Sequence, residues 1–214
     1  MLTKKKQRKY LDRNNVAWQQ QLQTFADSQN PEALHQLRVS LKKIRALAHF
    51  SNACSRAGKN FNGWKKMFKQ AGLVRDSLQP DTRIIATQRF IQHIKQYRRQ
   101  GKRACKRLDS TIRNIPSACI RDWYAVQIVS TGILLTSSGD ELHQARKQIK
   151  EMLYMEKLLP PSTQNELHLD RDYLDKLQDT IGLWHDDVVA GADPKEKEAQ
   201  VRLLADNFYL RINR

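Results

Sequence analysis

A chain of 214 residues with 38 Lys and Arg against 22 Asp and Glu carries a formal net charge of +16, which suits a polyanionic partner such as nucleic acid, an anionic surface or a phosphate polymer. Its longest apolar run, Tyr124 to Val129, is broken by Gln127 and is too short to span a membrane. Cys54, Cys105 and Cys119, odd in number and widely spaced, exclude a disulfide framework and a zinc motif, so reduced thiols in a cytoplasmic protein are expected.

The pattern is helical throughout. Strand-like alternation is absent, and Pro31, Pro80, Pro116, Pro160, Pro161 and Pro194 stand where helices start or stop. Eight helices are expected, over 5–28, 32–57, 60–74, 80–109, 117–136, 140–159, 164–187 and 195–212. The first, basic at its start, resembles a signal peptide in charge but has no apolar segment behind it. The second opens on Asn30-Pro31-Glu32, an N-cap, a first-turn proline and an acid favoured by the helix dipole. At 100° per residue its His35, Arg38, Lys42 and Arg45 share about an 80° arc. Leu34, Leu37, Leu41, Ile44 and Ala48 fill the neighbouring arc as a core face.

The third helix ends in Ala71-Gly72-Leu73-Val74-Arg75-Asp76. On the fourth, Phe90, Ile94, Tyr97, Gly101, Ala104, Cys105 and Leu108 form a core face, while Lys95, Arg98, Arg99, Lys102 and Lys106 form a second, basic one. Only Asp81 and Asp109, at its ends, could pair with these cations, which marks the face as phosphate-binding. The sixth helix, with Ser138-Gly139-Asp140-Glu141 as its start, carries His143, Arg146 and Lys150 at the spacing of His35, Arg38 and Lys42. The seventh carries Ile181-Gly182-Leu183-Trp184-His185-Asp186, an echo of the glycine motif of the third. Trp18, Trp64, Trp123 and Trp184 are expected in the core.

These echoes describe an internal duplication with a unit of about 110 residues, repeat 1 over about 5–110 and repeat 2 over about 117–212. Charge divides unevenly between the halves. Residues 1–110 hold 25 basic and 6 acidic side chains, and residues 111–214 hold 13 and 16, for net charges of +19 and −3.

The His-x-x-Arg-Val-x-x-Lys-Lys-x-Arg run at 35–45, the Gly-x-x-Arg-Asp run at 72–76 and their second-half echoes resemble the CHAD family, the conserved histidine α-helical domain, over about residues 31–190. The resemblance implies one all-α domain over residues 1–214, made of two pseudo-symmetric four-helix bundles around a basic central groove or pore. It also implies non-catalytic binding of inorganic polyphosphate, in the cytoplasm and in association with polyphosphate granules. Carried over by position, the site is His35, Arg38, Lys42, Arg45 and Arg75 in the first copy and His143, Arg146 and Lys150 in the second. The second copy departs from the pattern at Leu153, where Arg45 has its counterpart, and at His185, which stands for Arg75.

The residue chemistry fits an anion. Arg presents a planar fork of donors and Lys a mobile charge. A protonated His adds a donor near neutral pH, and His35 and His143 lie near helix N-termini, where free N–H groups favour anions. The alternative is a sequence-neutral nucleic-acid-binding helical protein, which would use the same phosphate contacts but would want aromatic or Asn/Gln side chains among the cations. Catalysis is not expected. The His185-Asp186 doublet has no histidines at metal-ligand spacing, and there is no Walker loop, nucleophile elbow or carboxylate cluster for a divalent ion. No metal and no cofactor are expected.

Overall fold

The computed structural model describes residues 1–55, 61–77, 79–137 and 139–212. These residues form eleven helices and no strand. The chain divides into two compact units, Thr3–Ile115 and Pro116–Arg214 with Met1–Leu2.

The N-terminal unit runs α1 (Lys4–Ser28), α2 (Pro31–Ser55), α3 (Asn62–Asp76), α4 (Pro80–Gln92) and α5 (Ile94–Thr111). Thr3 caps α1 by accepting from the Lys6 N–H, and Gln29, in the left-handed region at φ 53°, ends it. Asn30 Oδ1 accepts the Glu32 N–H at 2.8 Å and so sets the start of α2 at Pro31. α2 lies against α1 and α3, and α5 against α1, α3 and α4. Leu34, Leu37, Leu41, Ile44 and Ala48 are all buried, as their arc on the helix requires, together with Trp18, Trp64 and Tyr97.

The expected helix over 80–109 is two helices. At His93 (φ −98°, ψ 3°) the backbone N–H turns to the Phe90 carbonyl, and the ring Nδ1 donates to Arg89 O at 2.8 Å. The apolar spacing continues across this break, so the sequence pattern alone passes over it.

The C-terminal unit runs α6 (Ser117–Leu135), α7 (Asp140–Glu156), α8 (Pro161–Leu167), α9 (Arg171–Ala190), α10 (Lys195–Asp206) and α11 (Phe208–Ile212). α7 lies against α6 and α9, and α9 also against α10. The expected helix over 164–187 is divided because His168 takes a left-handed conformation at φ 46° and Asp170 caps a new helix, accepting the Tyr173 N–H at 3.0 Å. The expected helix over 195–212 breaks at Asn207 (φ −92°, ψ 1°). α7 starts from Gly139 at φ 64°, with Asp140 and Glu141 in its first turn. Residues 56–57 and 60 of the expected helices, and the Ser138 cap, lie outside the described residues. No helix among the described residues is long and apolar enough to cross a membrane.

Candidate anion-binding site

Arg38 leaves α2 at the margin between the core stripe and the polar stripe, and it is 9 % exposed. Its guanidinium lies over Gly72 of α3, where an added Cβ would fall 2.6 Å from Nη1. Nη1 donates to the Phe68 carbonyl at 3.0 Å, and the guanidinium carbon sits 4.6 Å from the centre of the Phe68 ring. About two turns further along α2, the Arg45 guanidinium carbon lies 5.6 Å from the same ring centre. Gly72 is therefore the floor, and Phe68 the wall, of a seat for arginine built by α3.

Among the described residues no carboxylate lies within ion-pair distance of Arg38. The nearby Asp76 bonds Arg75 Nε instead, at 2.6 Å. Burial, followed by the field of Arg75, pushes the Arg38 pKa down to about 10; Asp76 opposes the shift and Arg45 adds to it. The group still carries its charge at neutral pH. A buried cation with donors to spare and no counter-ion is a costly arrangement in a folded protein unless an anion arrives.

The C-terminal unit repeats the seat. Arg146 Nε donates to the Gln178 carbonyl at 2.9 Å, and a Cβ on Gly182 would fall 2.6 Å from Arg146 Nη2. In both units the accepting carbonyl belongs to the residue four before the glycine. The surroundings differ. Counted from the glycines, Gln178 stands where the first copy has Phe68, and Asp175 and Asp179 stand where it has Lys65 and Lys69. Burial and Arg146 lower the Lys150 pKa, while Asp179, Asp175 and Asp186 oppose the shift. The second stripe thus meets carboxylates supplied by its own unit.

His185, in the place of Arg75, stacks on His143 with ring centroids 4.1 Å apart. Burial pushes the His143 pKa down to about 4, helped by Lys147, His185 and Arg146 and opposed by Asp140. Its Nδ1 is buried without a hydrogen-bond partner among the described residues. As it stands in the fold, with its pKa near 4, the His143 ring is neutral at neutral pH. His35, by contrast, is exposed.

The structure brings Arg38 and Arg45 together at Phe68 and places Arg75 close enough to be felt by Arg38; Lys42, on the same stripe, is partly exposed. It does not bring the fourth-helix cations to them. Lys95, Arg99, Lys102 and Lys106 project outward from α5, which lies against α1, α3 and α4, and Arg98 is turned to Gln23 of α1. Phe68 was not singled out by its sequence position, since a lone aromatic in a basic amphipathic helix reads as core. The signal lay in its place four residues before Gly72. Trp18, Trp64, Trp123 and Trp184 are buried.

A family model described as CHAD domain matches residues 78–192, just over half of the chain. The matched segment contains His143, Arg146, Lys150 and the Gly182 motif, and it begins after the α2 stripe and its Gly72 seat. No curated protein matches the chain, and no solved structure does.

Proposed function

The chain belongs to the CHAD family, and on that premise we propose that it binds inorganic polyphosphate without catalysing its turnover. CHAD domains are associated with this polymer at the level of the family. The observation that carries the reading for this chain is Arg38: a guanidinium 9 % exposed, seated on Gly72 and Phe68, with no carboxylate at ion-pair distance among the described residues. Arg45, Lys42 and Arg75 supply further positive charge around it, the exposed His35 a further ring nitrogen, and a chain of phosphates meets several such donors at once.

Arg146 and Lys150 form a second, weaker set, because Asp175, Asp179 and Asp186 already offset part of their charge. The internal duplication belongs to the same proposal and rests on the recurrence of arginine over glycine in both units. The exposed cations Lys95, Arg99, Lys102 and Lys106 act as an accessory field that raises the local concentration of polyanion.

Sequence-neutral nucleic-acid binding is the weaker alternative. Base stacking needs an open aromatic face, and Phe68 is taken up by Arg38 and Arg45. The test is competition at fixed ionic strength, with labelled long-chain polyphosphate displaced by unlabelled polyphosphate, DNA, RNA or orthophosphate. Displacement by polyphosphate at far lower phosphate-equivalent concentrations than by either nucleic acid is expected. Equal displacement by DNA or RNA would overturn the assignment.

A further inference from the structure

We propose that Phe68 is a positioning residue for the anion site, its ring holding Arg38 and Arg45 side by side so that the two guanidinium groups are ordered before ligand arrives. This rests on the reading of the α2 stripe as a polyanion site and adds to it a residue with no charge of its own. Two arginines about two turns apart on a helix repel each other, and each has several rotatable bonds to fix when it binds. In the N-terminal unit their guanidinium carbons lie 4.6 and 5.6 Å from one ring centre. The ring's negative quadrupole attracts both cations, and its bulk restricts their rotamers. Phe68 is itself held edge-on by Phe61, with centroids 6.2 Å apart and planes at 75°, and its carbonyl accepts from Arg38. One residue therefore fixes Arg38 through both its ring and its backbone.

The second copy lacks both halves of this arrangement. Gln178 replaces the ring, and the buried Leu153 replaces the second arginine. Its carbonyl bond to Arg146 is kept. The backbone seat is common to the two units, whereas ring and second arginine are present together or absent together. That is the pattern expected if the ring serves the arginine pair rather than the fold in general.

The test measures affinity for long-chain polyphosphate in Phe68→Leu, Phe68→Tyr, Arg38→Ala/Arg45→Ala and the triple variant combining the arginine pair with Phe68→Leu. Phe68→Leu should weaken binding roughly tenfold while leaving the salt dependence unchanged, because no charge is removed. Phe68→Tyr, which keeps the ring face, should bind within about twofold of the parent. In the background without the two arginines, Phe68→Leu should have no further effect, so the cycle reports coupling even if the Leu variant also loses thermal stability.

An equal loss from Phe68→Leu with and without the arginines would overturn the proposal, as would a Tyr variant as weak as the Leu variant. Loss of binding in Arg38→Ala/Arg45→Ala with none in Phe68→Leu would overturn it too while leaving the polyphosphate reading in place. A parent that does not bind polyphosphate would instead remove that reading itself.

Discussion

Gly72 and Gly182 sit inside helices, where glycine is ordinarily less stable than alanine by roughly 0.5–1 kcal/mol, and each lies directly under a guanidinium. A methyl group at Gly72 would meet Arg38 Nη1 at 2.6 Å, so the arginine must swing away and give up its bond to the Phe68 carbonyl. Gly72→Ala should therefore leave the melting temperature within a few degrees of the parent, because the helix gains what the hydrogen bond loses. Polyphosphate affinity should fall about tenfold, as for loss of one charge-assisted contact. Parent-like affinity in this variant, measured by titration, would show that the seat of Arg38 is irrelevant to binding.

The neutral His143 gives a second test at this scale. Its folded pKa of about 4 lies below the ordinary 6.5, so between those values the unfolded chain binds more protons. The stability it contributes is fully present above about pH 6.5 and is lost as pH falls toward 4, by on the order of 1–3 kcal/mol after allowance for partial exposure. Melting curves from pH 7.5 to 4.5 should fall more steeply for the parent than for His143→Gln; parallel curves would contradict the assignment. The motif residues were legible in the sequence because they repeat. The contacts that explain them were not, since neither the burial of His143 nor the ring behind Arg38 has a periodic signature.

One step up, the contrast between α3 and α9 decides how the two stripes behave. α3, which lies against α2, carries Lys65, Lys66, Lys69 and Arg75 with Asp76 as its one acid, whereas α9 carries Asp172, Asp175, Asp179, Asp186 and Asp187 against Arg171 and Lys176. On the proposed reading a bound polyanion would relieve repulsion within the first pair of helices, whereas carboxylates of its own unit already act on Lys150 in the second. Arg38→Ala/Lys42→Ala should then reduce polyphosphate affinity by roughly 10- to 100-fold, each lost contact contributing on the order of 1 kcal/mol or more where it is shielded from water. Arg146→Ala/Lys150→Ala should change it by no more than about threefold. Equal losses in isothermal titration would refute the asymmetry.

Helix existence was well encoded at this scale. Asn30 with Pro31, and Pro80, mark real starts, and the apolar arcs of α2 and α5 are the buried ones. The breaks at His93, His168 and Asn207 were not encoded in a readable way. Each is a single residue whose backbone leaves the helix while the apolar spacing on either side carries on. Local capping chemistry, such as Asp170 accepting from Tyr173, settles such points, and it becomes visible only once the chain is folded.

At the scale of the whole molecule, a net charge of +16 opposes compaction, and the seats of Arg38 and Arg146 keep guanidinium groups close to the core. A ligand that supplies many negative charges along one flexible chain relieves both effects. It also releases the counter-ions condensed on that chain, so its affinity must fall as salt rises. Orthophosphate meets the same donors one at a time and gains neither the linkage between contacts nor the entropy of counter-ion release. Polyphosphate affinity should therefore rise with chain length until the ligand covers the α2 stripe and then level off on a per-site basis. The logarithm of the binding constant should decline linearly with the logarithm of salt concentration, with a slope set by the number of phosphates neutralised. Arg38→Ala and Arg45→Ala should each reduce that slope by roughly one, because each removes a charge from the contact. Arg146→Ala should reduce it less, since Lys150 beside it already has Asp175, Asp179 and Asp186 nearby. The measurement is a titration of fluorescent polyphosphate at five or six salt concentrations between about 50 and 400 mM. A flat line, or a slope that Arg38→Ala leaves unchanged, would mean that the anion does not sit where Arg38 waits for it.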